Sequence, residues 1–144
     1  DLLNGGNNQD RLNGDDGGFG DDILFGANPD NFDLQLSEQD TLVGGEGRDL
    51  YILGDGDQRY YDDRNATTEG STDYAVIKDF NSEQDRIQLQ GDRSSYALSF
   101  YPNGTGSSLA NIFYVKPGSI PERIGIIENV ASDLTLDSRA FSFI

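Results

Sequence analysis

The chain has 144 residues, and 26 acidic against 10 basic residues give it a net charge of −16 at pH 7. A chain of this length fits one domain with one modest core, and its charge argues against nucleic acid and anionic membrane surfaces, so cations are the natural partners. It contains no cysteine and no histidine, which excludes disulfides, thiol chemistry and a Ser-His-Asp triad.

Three segments share a nine-residue pattern, GGxGxDxUx, in which U is a large apolar residue; they are residues 5–13, 17–25 and 44–52. The second fits fully, the third fits with Tyr51 as the apolar residue, and the first has Asn8 in place of a glycine. The glycine-rich part offers main-chain carbonyls and one carboxylate, which are the oxygens that Ca²⁺ prefers. The last part predicts a short strand with its apolar residue pointing inward.

The spacing of these segments predicts a stack of coils with two irregular turns. Residues 14–16 enlarge one turn, and residues 26–39 form an insertion before the unit Asp40-Thr41-Leu42. Insertions of this kind map to loops and leave a stack intact. Asp1 stands nine residues before Asp10, so the chain opens inside a repeat and we expect it to be part of a longer protein. The predicted inward residues are Leu3, Leu12, Leu24, Leu42 and Tyr51.

The second half of the chain has a different character. After a polar connector at residues 54–72, residues 73–144 contain short apolar and β-branched runs that alternate with turns and predict strands. These runs are residues 74–77, 87–89, 96–101, 112–115, 124–127 and 141–144. No stretch shows helical periodicity, so the predicted fold class is all-β. The open end of a repeat stack exposes unpaired backbone, and we expect residues 73–144 to cap the stack of residues 1–53.

The repeats resemble those of the RTX (repeats-in-toxin), hemolysin-type calcium-binding family of secreted proteins. Asp73-Tyr74-Ala75-Val76-Ile77-Lys78-Asp79-Phe80-Asn81 and then Asp85-Arg86-Ile87-Gln88-Leu89 are similar to the D-x-I-x-D-F-x(4)-D-x-I-x-L segment that follows the repeats in many members. The chain is most similar to RTX C-terminal domains of cyanobacterial secreted proteins. The resemblance implies a parallel β-roll in which successive repeats lie on opposite faces, with Ca²⁺ between turns one coil apart. It also implies export by type I secretion machinery that reads a C-terminal signal within residues 73–144.

The family's pattern also implies which residues hold the ions. It pairs the turn ending at Asp10 with that ending at Asp40, and the turn of Asp22 with those of Asp1 and Asp49. The earlier turn of a pair gives the carbonyls of its second and fourth residues, and the later turn gives those of its first and third. The implied metal ligands are Asp1, Gly6, Asn8, Asp10, Gly18, Gly20, Asp22, Asp40, Gly44, Glu46 and Asp49. About three to five Ca²⁺ ions would bind, with the Asp40 site departing most from the pattern because it lacks the glycines.

Other roles for these residues stay open at this point. Aspartate and glycine are common in ordinary turns, so the repeat aspartates could cap turns without a metal. Asp79 and Asp85 fit strand-end or turn-capping roles at least as well as ion binding. The tyrosines in and around the connector could stack on sugars, although packing inside the fold is their more common use. They are Tyr51, Tyr60, Tyr61 and Tyr74.

These features predict a secreted, extracellular calcium-binding module that folds on Ca²⁺ outside the cell and supports type I secretion of a larger protein. Clustered carboxylates repel one another and short strands bury little, so a cation that bridges the coils would decide whether the chain folds. We expect neither an enzyme nor a membrane span, because no catalytic motif and no long apolar run occurs. The alternative is an adhesin, surface-layer or glycan-binding module, with a glycan or cell-surface partner, that Ca²⁺ only rigidifies.

Overall fold

The computed structural model describes residues 1–6, 9–14, 19–27 and 38–144, which are almost entirely strands, turns and loops. The strands are β1 (Leu2–Gly6), β2 (Arg11–Asn13), β3 (Ile23–Ala27), β4 (Gln39–Val43), β5 (Leu50–Ile52), β6 (Tyr74–Lys78), β7 (Arg86–Leu89), β8 (Tyr96–Pro102), β9 (Ser108–Tyr114), β10 (Glu122–Val130) and β11 (Phe141–Phe143). One 3₁₀ turn, Arg93–Ser95, precedes β8. The predicted all-β class is confirmed. No helix of the described residues is long and apolar enough to cross a bilayer.

The strands form two sheets. One has the order β1-β3-β5-β7-β11, and the other has the order β2-β4-β6-β10-β9-β8. Every pair in the first sheet is parallel, and so are the pairs from β2 to β10 in the second, whereas β10, β9 and β8 are antiparallel. From β1 to β7, successive strands therefore alternate between the sheets, and each strand from β1 to β5 pairs with the strand two positions further on.

The predicted inward residues share the inner faces of these sheets. Leu3 pairs with Leu24 and Leu24 with Tyr51 in the first sheet, while Leu12 pairs with Leu42 in the second. Leu24, Leu42 and Tyr51 have no exposed surface. Leu3 and Leu12 are half-buried, because β1 and β2 each pair with one strand only among the described residues. Side chains of a strand alternate in direction, so the repeat spacing places its apolar residue inward at each coil, as predicted.

Both sheets continue into the second half of the chain. β6 pairs in parallel with β4, and β7 pairs in parallel with β5. Ala75 and Ile77 in β6 and Ile87 and Leu89 in β7 are fully buried in the same core. All six strands predicted after residue 73 are present, as β6 to β11, with β9 and β10 longer than expected. The division at residues 53 and 72 stays a prediction, and the two sheets run across it without a break.

The connector contributes two side chains to the core. Residue Tyr60 donates its main-chain N–H to the Leu53 carbonyl at 3.0 Å, and its hydroxyl donates to Asp55 at 2.8 Å. Tyr60 and its neighbour Tyr61 have no exposed surface. The predicted polar linker is thus folded back onto the sheets. Tyr51 is also fully buried, so none of these three rings has a free face on which a sugar could stack.

A matched pair of leucines tests the inner face. Leu24 in β3 is fully buried, whereas Leu2 in β1 is 71% exposed. We expect Leu24→Ala to lower the free energy of unfolding by about 2–5 kcal/mol, because it leaves a cavity in the core. Leu2→Ala should change it by about 0.5 kcal/mol or less. Urea unfolding with excess Ca²⁺ measures both, and equal losses would contradict the assignment of the inner face.

Candidate metal centre

The aspartates that precede the strands point into the molecule. Each lies two residues before an inward apolar residue, so alternation turns both side chains to the same side. Asp22, Asp40 and Asp49 are accordingly 3%, 0% and 2% exposed. The spacing D-x-U of the repeat therefore fixes both the core residue and the burial of the carboxylate.

These carboxylates connect successive coils through the main chain. The N–H of Asp10 donates to Asp40 Oδ1 at 2.8 Å, and the N–H of Asp22 donates to Asp49 Oδ1 at 2.9 Å. Asp85 Oδ1 accepts from the N–H of Asp49 at 3.0 Å, and Asp73 Oδ1 accepts from the N–H of Glu38 at 2.9 Å. We call the four acceptors, Asp40, Asp49, Asp73 and Asp85, the carboxylate ladder. Each extends the parallel strand pairing by one charge-assisted hydrogen bond.

The turns that end at Asp22 and Asp49 lie side by side. The N–H of Gly20 donates to the Glu46 carbonyl at 3.0 Å, and the N–H of Arg48 donates to Asp21 Oδ1 at 2.9 Å. A Cβ added at Gly14 would press on Asp22 Oδ2 and would lie 2.5 Å from the Gly44 carbonyl oxygen. The predicted ligands Asp22 and Gly44 thus converge on one glycine, where the absence of a side chain leaves room.

We call a place where a carboxylate and a carbonyl oxygen from different turns meet beside a glycine a cradle. A second cradle lies at Asp10. A Cβ added at Gly5 would lie 2.9 Å from Asp10 Oδ2 and 2.8 Å from the Gly26 carbonyl oxygen. Asp10 Oδ2 is buried and has no hydrogen-bond partner among the described residues. Gly26 is the first residue of the insertion, and its carbonyl was not among the predicted ligands. A carboxylate and a carbonyl oxygen from different turns again face the same space.

Not every predicted ligand joins these cradles. Asn8 and Gly18 lie outside the described residues. The side chain of Asp1 is 80% exposed, and its main-chain carbonyl accepts from the N–H of Ile23 at 2.9 Å. Gly6 ends β1 opposite Ala27 with a φ of 94°. The predicted pairing of Asp10 with Asp40 and of Asp22 with Asp49 is present in the strand register.

The charge of the buried carboxylates is poorly compensated. Burial raises the pKa of Asp49 to about 6, and repulsion from Asp85, Asp22 and Asp79 adds to this, against the hydrogen bond from the N–H of Asp22. Asp49 Oδ2 is buried without a hydrogen-bond partner in the described part of the chain. Burial also raises the pKa of Asp40, which hydrogen bonds from Tyr61 and Asp10 oppose. Ionised carboxylates in these positions therefore cost free energy unless a cation is near.

Asp79 and Asp85 fit the capping role that was left open for them. Asp79 accepts from the N–H groups of Gly44 at 3.3 Å and Gly45 at 2.9 Å. Asp85 Oδ2 accepts from the N–H of Asn81 at 2.8 Å, in addition to its ladder bond. These contacts hold the segment after β6 against the turn of Asp49. Ion binding by either residue stays a prediction.

No three acidic side chains of the described residues come close enough together to form a metal site by themselves. A site of the repeat type needs only two carboxylates, because main-chain carbonyls supply its other oxygens. No protein-family model matches the chain, and the search of curated proteins finds no match either. The resemblance to RTX proteins therefore rests on the motifs of the sequence.

An unpredicted acidic group lies away from the repeats. Glu122, the first residue of β10, is 5% exposed. Burial and repulsion from Asp63 and Asp62 raise its pKa to about 7, and the N–H of Asp63 opposes the shift. Glu122 Oε1 is buried and has no partner among the residues described. No motif marks this residue, because its neighbours come from the connector, far away in the sequence.

Glu122 predicts a pH dependence of stability. Its folded pKa of about 7 lies above the ordinary value of 4.5, so the folded state holds a proton that the unfolded state has lost between these values. Stability should therefore fall as the pH rises from about 4.5 to about 7. Glu122→Gln should reduce this slope by up to about 1 kcal/mol per pH unit. Unfolding midpoints of both proteins across this range test it, and parallel profiles would contradict the assignment.

Proposed function

We propose that this chain is a calcium-binding module, built as a parallel β-roll of nonapeptide repeats, whose folding Ca²⁺ completes. The observation that carries the proposal is the convergence of Asp22 Oδ2 and the Gly44 carbonyl oxygen beside Gly14. Both oxygens belong to the ligand set that the repeats imply, and they come from turns one coil apart. Carboxylate and carbonyl oxygens suit Ca²⁺ better than a transition metal.

The Asp22 and Asp49 turns provide most of a coordination sphere. The carboxylates of Asp22 and Asp49 and the carbonyls of Gly20, Gly44 and Glu46 are the proposed ligands here. Bound Ca²⁺ would supply two positive charges and accept about six to eight oxygens. The adjacent turns thereby gain a bridge, and the buried carboxylates lose their mutual repulsion. The cradle of Asp10 and the Gly26 carbonyl is the second proposed position.

The state without calcium follows from the same contacts. Among the described residues, the Asp22 and Asp49 turns are then linked by strand pairing, the ladder bond, the bond from Gly20 to Glu46 and the bond from Arg48 to Asp21. Against these stand the net charge of −16 and the uncompensated carboxylate of Asp49. Short strands bury little surface, so these coils should lose order first.

A secreted setting follows from this proposal together with the resemblance. Low calcium inside a cell would keep the repeats unfolded during type I export, and millimolar calcium outside would fold them. β11, near the end of the chain, pairs with β7 in the folded state. Because β11 is paired within the sheet once the chain has folded, export machinery would have to recognise a C-terminal signal before the sheet forms. We propose a binding module of a larger extracellular protein, rather than an enzyme.

The adhesin or glycan-binding alternative stays a prediction. Three of the four tyrosines considered for sugar stacking are fully buried, and the fourth, Tyr74, lies under the Arg123 guanidinium at 4.7 Å. These four tyrosines therefore lend it no support.

Far-UV circular dichroism of the whole chain tests the proposed function. Adding Ca²⁺ to chelator-treated protein should increase the β-sheet signal cooperatively at extracellular rather than nanomolar concentrations, because several weak sites share one stack. Mg²⁺ should be much less effective, since it prefers a tight octahedron and retains its waters. Identical spectra with chelator and with Ca²⁺ would refute ion-coupled folding, and equal responses to both ions would indicate charge screening.

A matched pair of variants separates site geometry from net charge. Asp22→Asn should raise the calcium midpoint of this transition about fivefold or more, because it weakens a ligand. Asp62→Asn removes the same charge from the connector, where Asp62 pairs with Arg59 at 2.9 Å, and should shift the midpoint about twofold at most. Equal shifts would show that net charge governs the transition.

A further inference from the structure

A buried hydroxyl group lies beside the carboxylate ladder. Tyr61 has no exposed surface, and its hydroxyl donates to Asp40 Oδ2 at 2.7 Å. The same hydroxyl accepts a hydrogen bond from the N–H of Ala27. Tyr61 belongs to the connector, whereas Asp40 and Ala27 border the insertion between β3 and β4. One phenol group therefore links the connector to both ends of that insertion.

Asp40 differs in this respect from Asp10 and Asp49. Its Oδ1 accepts from the N–H of Asp10 and its Oδ2 accepts from Tyr61, so both oxygens have protein donors. Asp49 also accepts a main-chain N–H at Oδ1, but its Oδ2 has no partner in the described part of the chain, and neither does Asp10 Oδ2. Asp49 and Asp10 each offer a cation a buried oxygen without a donor in that part of the chain, whereas both oxygens of Asp40 already accept a hydrogen bond.

The backbone of Tyr61 and its neighbours hold the Tyr61 hydroxyl against Asp40. Tyr61 has a φ of 59°, a left-handed conformation that is rare for a bulky residue and persists only where the surroundings hold it. The bonds of Tyr60 to Leu53 and Asp55 fix the preceding residue. A Cβ at Gly26 would collide with the Tyr61 hydroxyl and lie 2.5 Å from Asp40 Oδ2. Glycine at this position therefore admits the hydroxyl beside Asp40 Oδ2.

We propose that the Tyr61 hydroxyl takes the place of a calcium ion at Asp40, so that the connector closes this coil without metal. The inference rests on the proposed calcium function, and it removes Asp40 from the ligands that the repeat pattern implies. A short O–H···O⁻ bond satisfies the carboxylate oxygen that would otherwise face an ion. Calcium dependence then belongs to the Asp22 and Asp49 turns and to Asp10, while the Asp40 turn depends on the connector.

Calcium titration of two matched variants tests this proposal. Asp40→Asn and Asp49→Asn each remove a buried charge and keep an oxygen that can accept the ladder bond from Asp10 or Asp22. Isothermal titration of the whole chain with Ca²⁺ should show that Asp49→Asn loses an ion or weakens binding about tenfold or more. Asp40→Asn should retain the wild-type stoichiometry, with affinity within about twofold.

The outcomes separate the two claims. A loss of calcium binding in Asp40→Asn as large as that in Asp49→Asn would overturn the proposal that the Tyr61 hydroxyl takes the place of Ca²⁺ at Asp40. The proposed calcium function would then still stand. Wild-type binding in both variants would instead overturn the proposed site at Asp22 and Asp49, and the inference with it.

A double-mutant cycle covers the case in which Asp40→Asn unfolds too readily for titration. In saturating Ca²⁺, Tyr61→Phe should lower the folding equilibrium constant about tenfold or more, because it strands a buried carboxylate oxygen. In the Asp40→Asn background the same change should cost much less, since the stranded group is then neutral. Tyr60→Phe, which breaks a bond to Asp55 instead, should be additive with Asp40→Asn. Additivity in both cycles would contradict a direct role of Tyr61 at Asp40.

Discussion

Buried carboxylates that face the preceding coil are the constraint on which this structure depends. The carboxylate ladder ties the coils together at Asp40, Asp49, Asp73 and Asp85 through main-chain donors between 2.8 and 3.0 Å away. A buried carboxylate is costly unless donors or cations satisfy it. The chain must therefore provide a partner for the remaining oxygen at each coil. Glycine lies beside the remaining oxygen of Asp40 and of Asp49, and the partner proposed for that oxygen differs between the two coils.

This difference gives the two ends of the molecule different sources of stability. At the N-terminal edge, Leu3 and Leu12 are half-buried, and the cradles beside Gly5 and Gly14 gather oxygens rather than donors. Further along, Tyr61 and the antiparallel strands β8 to β10 close the fold with hydrogen bonds and apolar contacts. Metal binding at the cradles beside Gly5 and Gly14 would then stabilise the N-terminal coils, whereas the C-terminal part would be stable largely without metal. Local unfolding should begin where the cradles are.

The repeat pattern predicts the local geometry well because it encodes alternation. Each aspartate lies two positions before its apolar partner, so the pattern predicted the burial of Asp22 and Leu24 from local sequence alone. The sequence could not show that Tyr61 reaches Asp40, because this contact depends on a left-handed residue in a segment that reads as a polar linker. Nor could it show that β10 lies beside β6 and faces the connector with Glu122, since pairing between distant strands leaves no local signal.

The central claim is that calcium acts on the contact between the Asp22 and Asp49 turns. Amide hydrogen exchange of the whole chain, followed residue by residue with Ca²⁺ and with chelator, tests it most directly. The Asp22 amide, which donates to Asp49 Oδ1, should gain protection on the order of a hundredfold in Ca²⁺. The Glu38 amide, which donates to Asp73 Oδ1, should gain much less. Equal protection of the Asp22 amide with and without calcium would contradict the account.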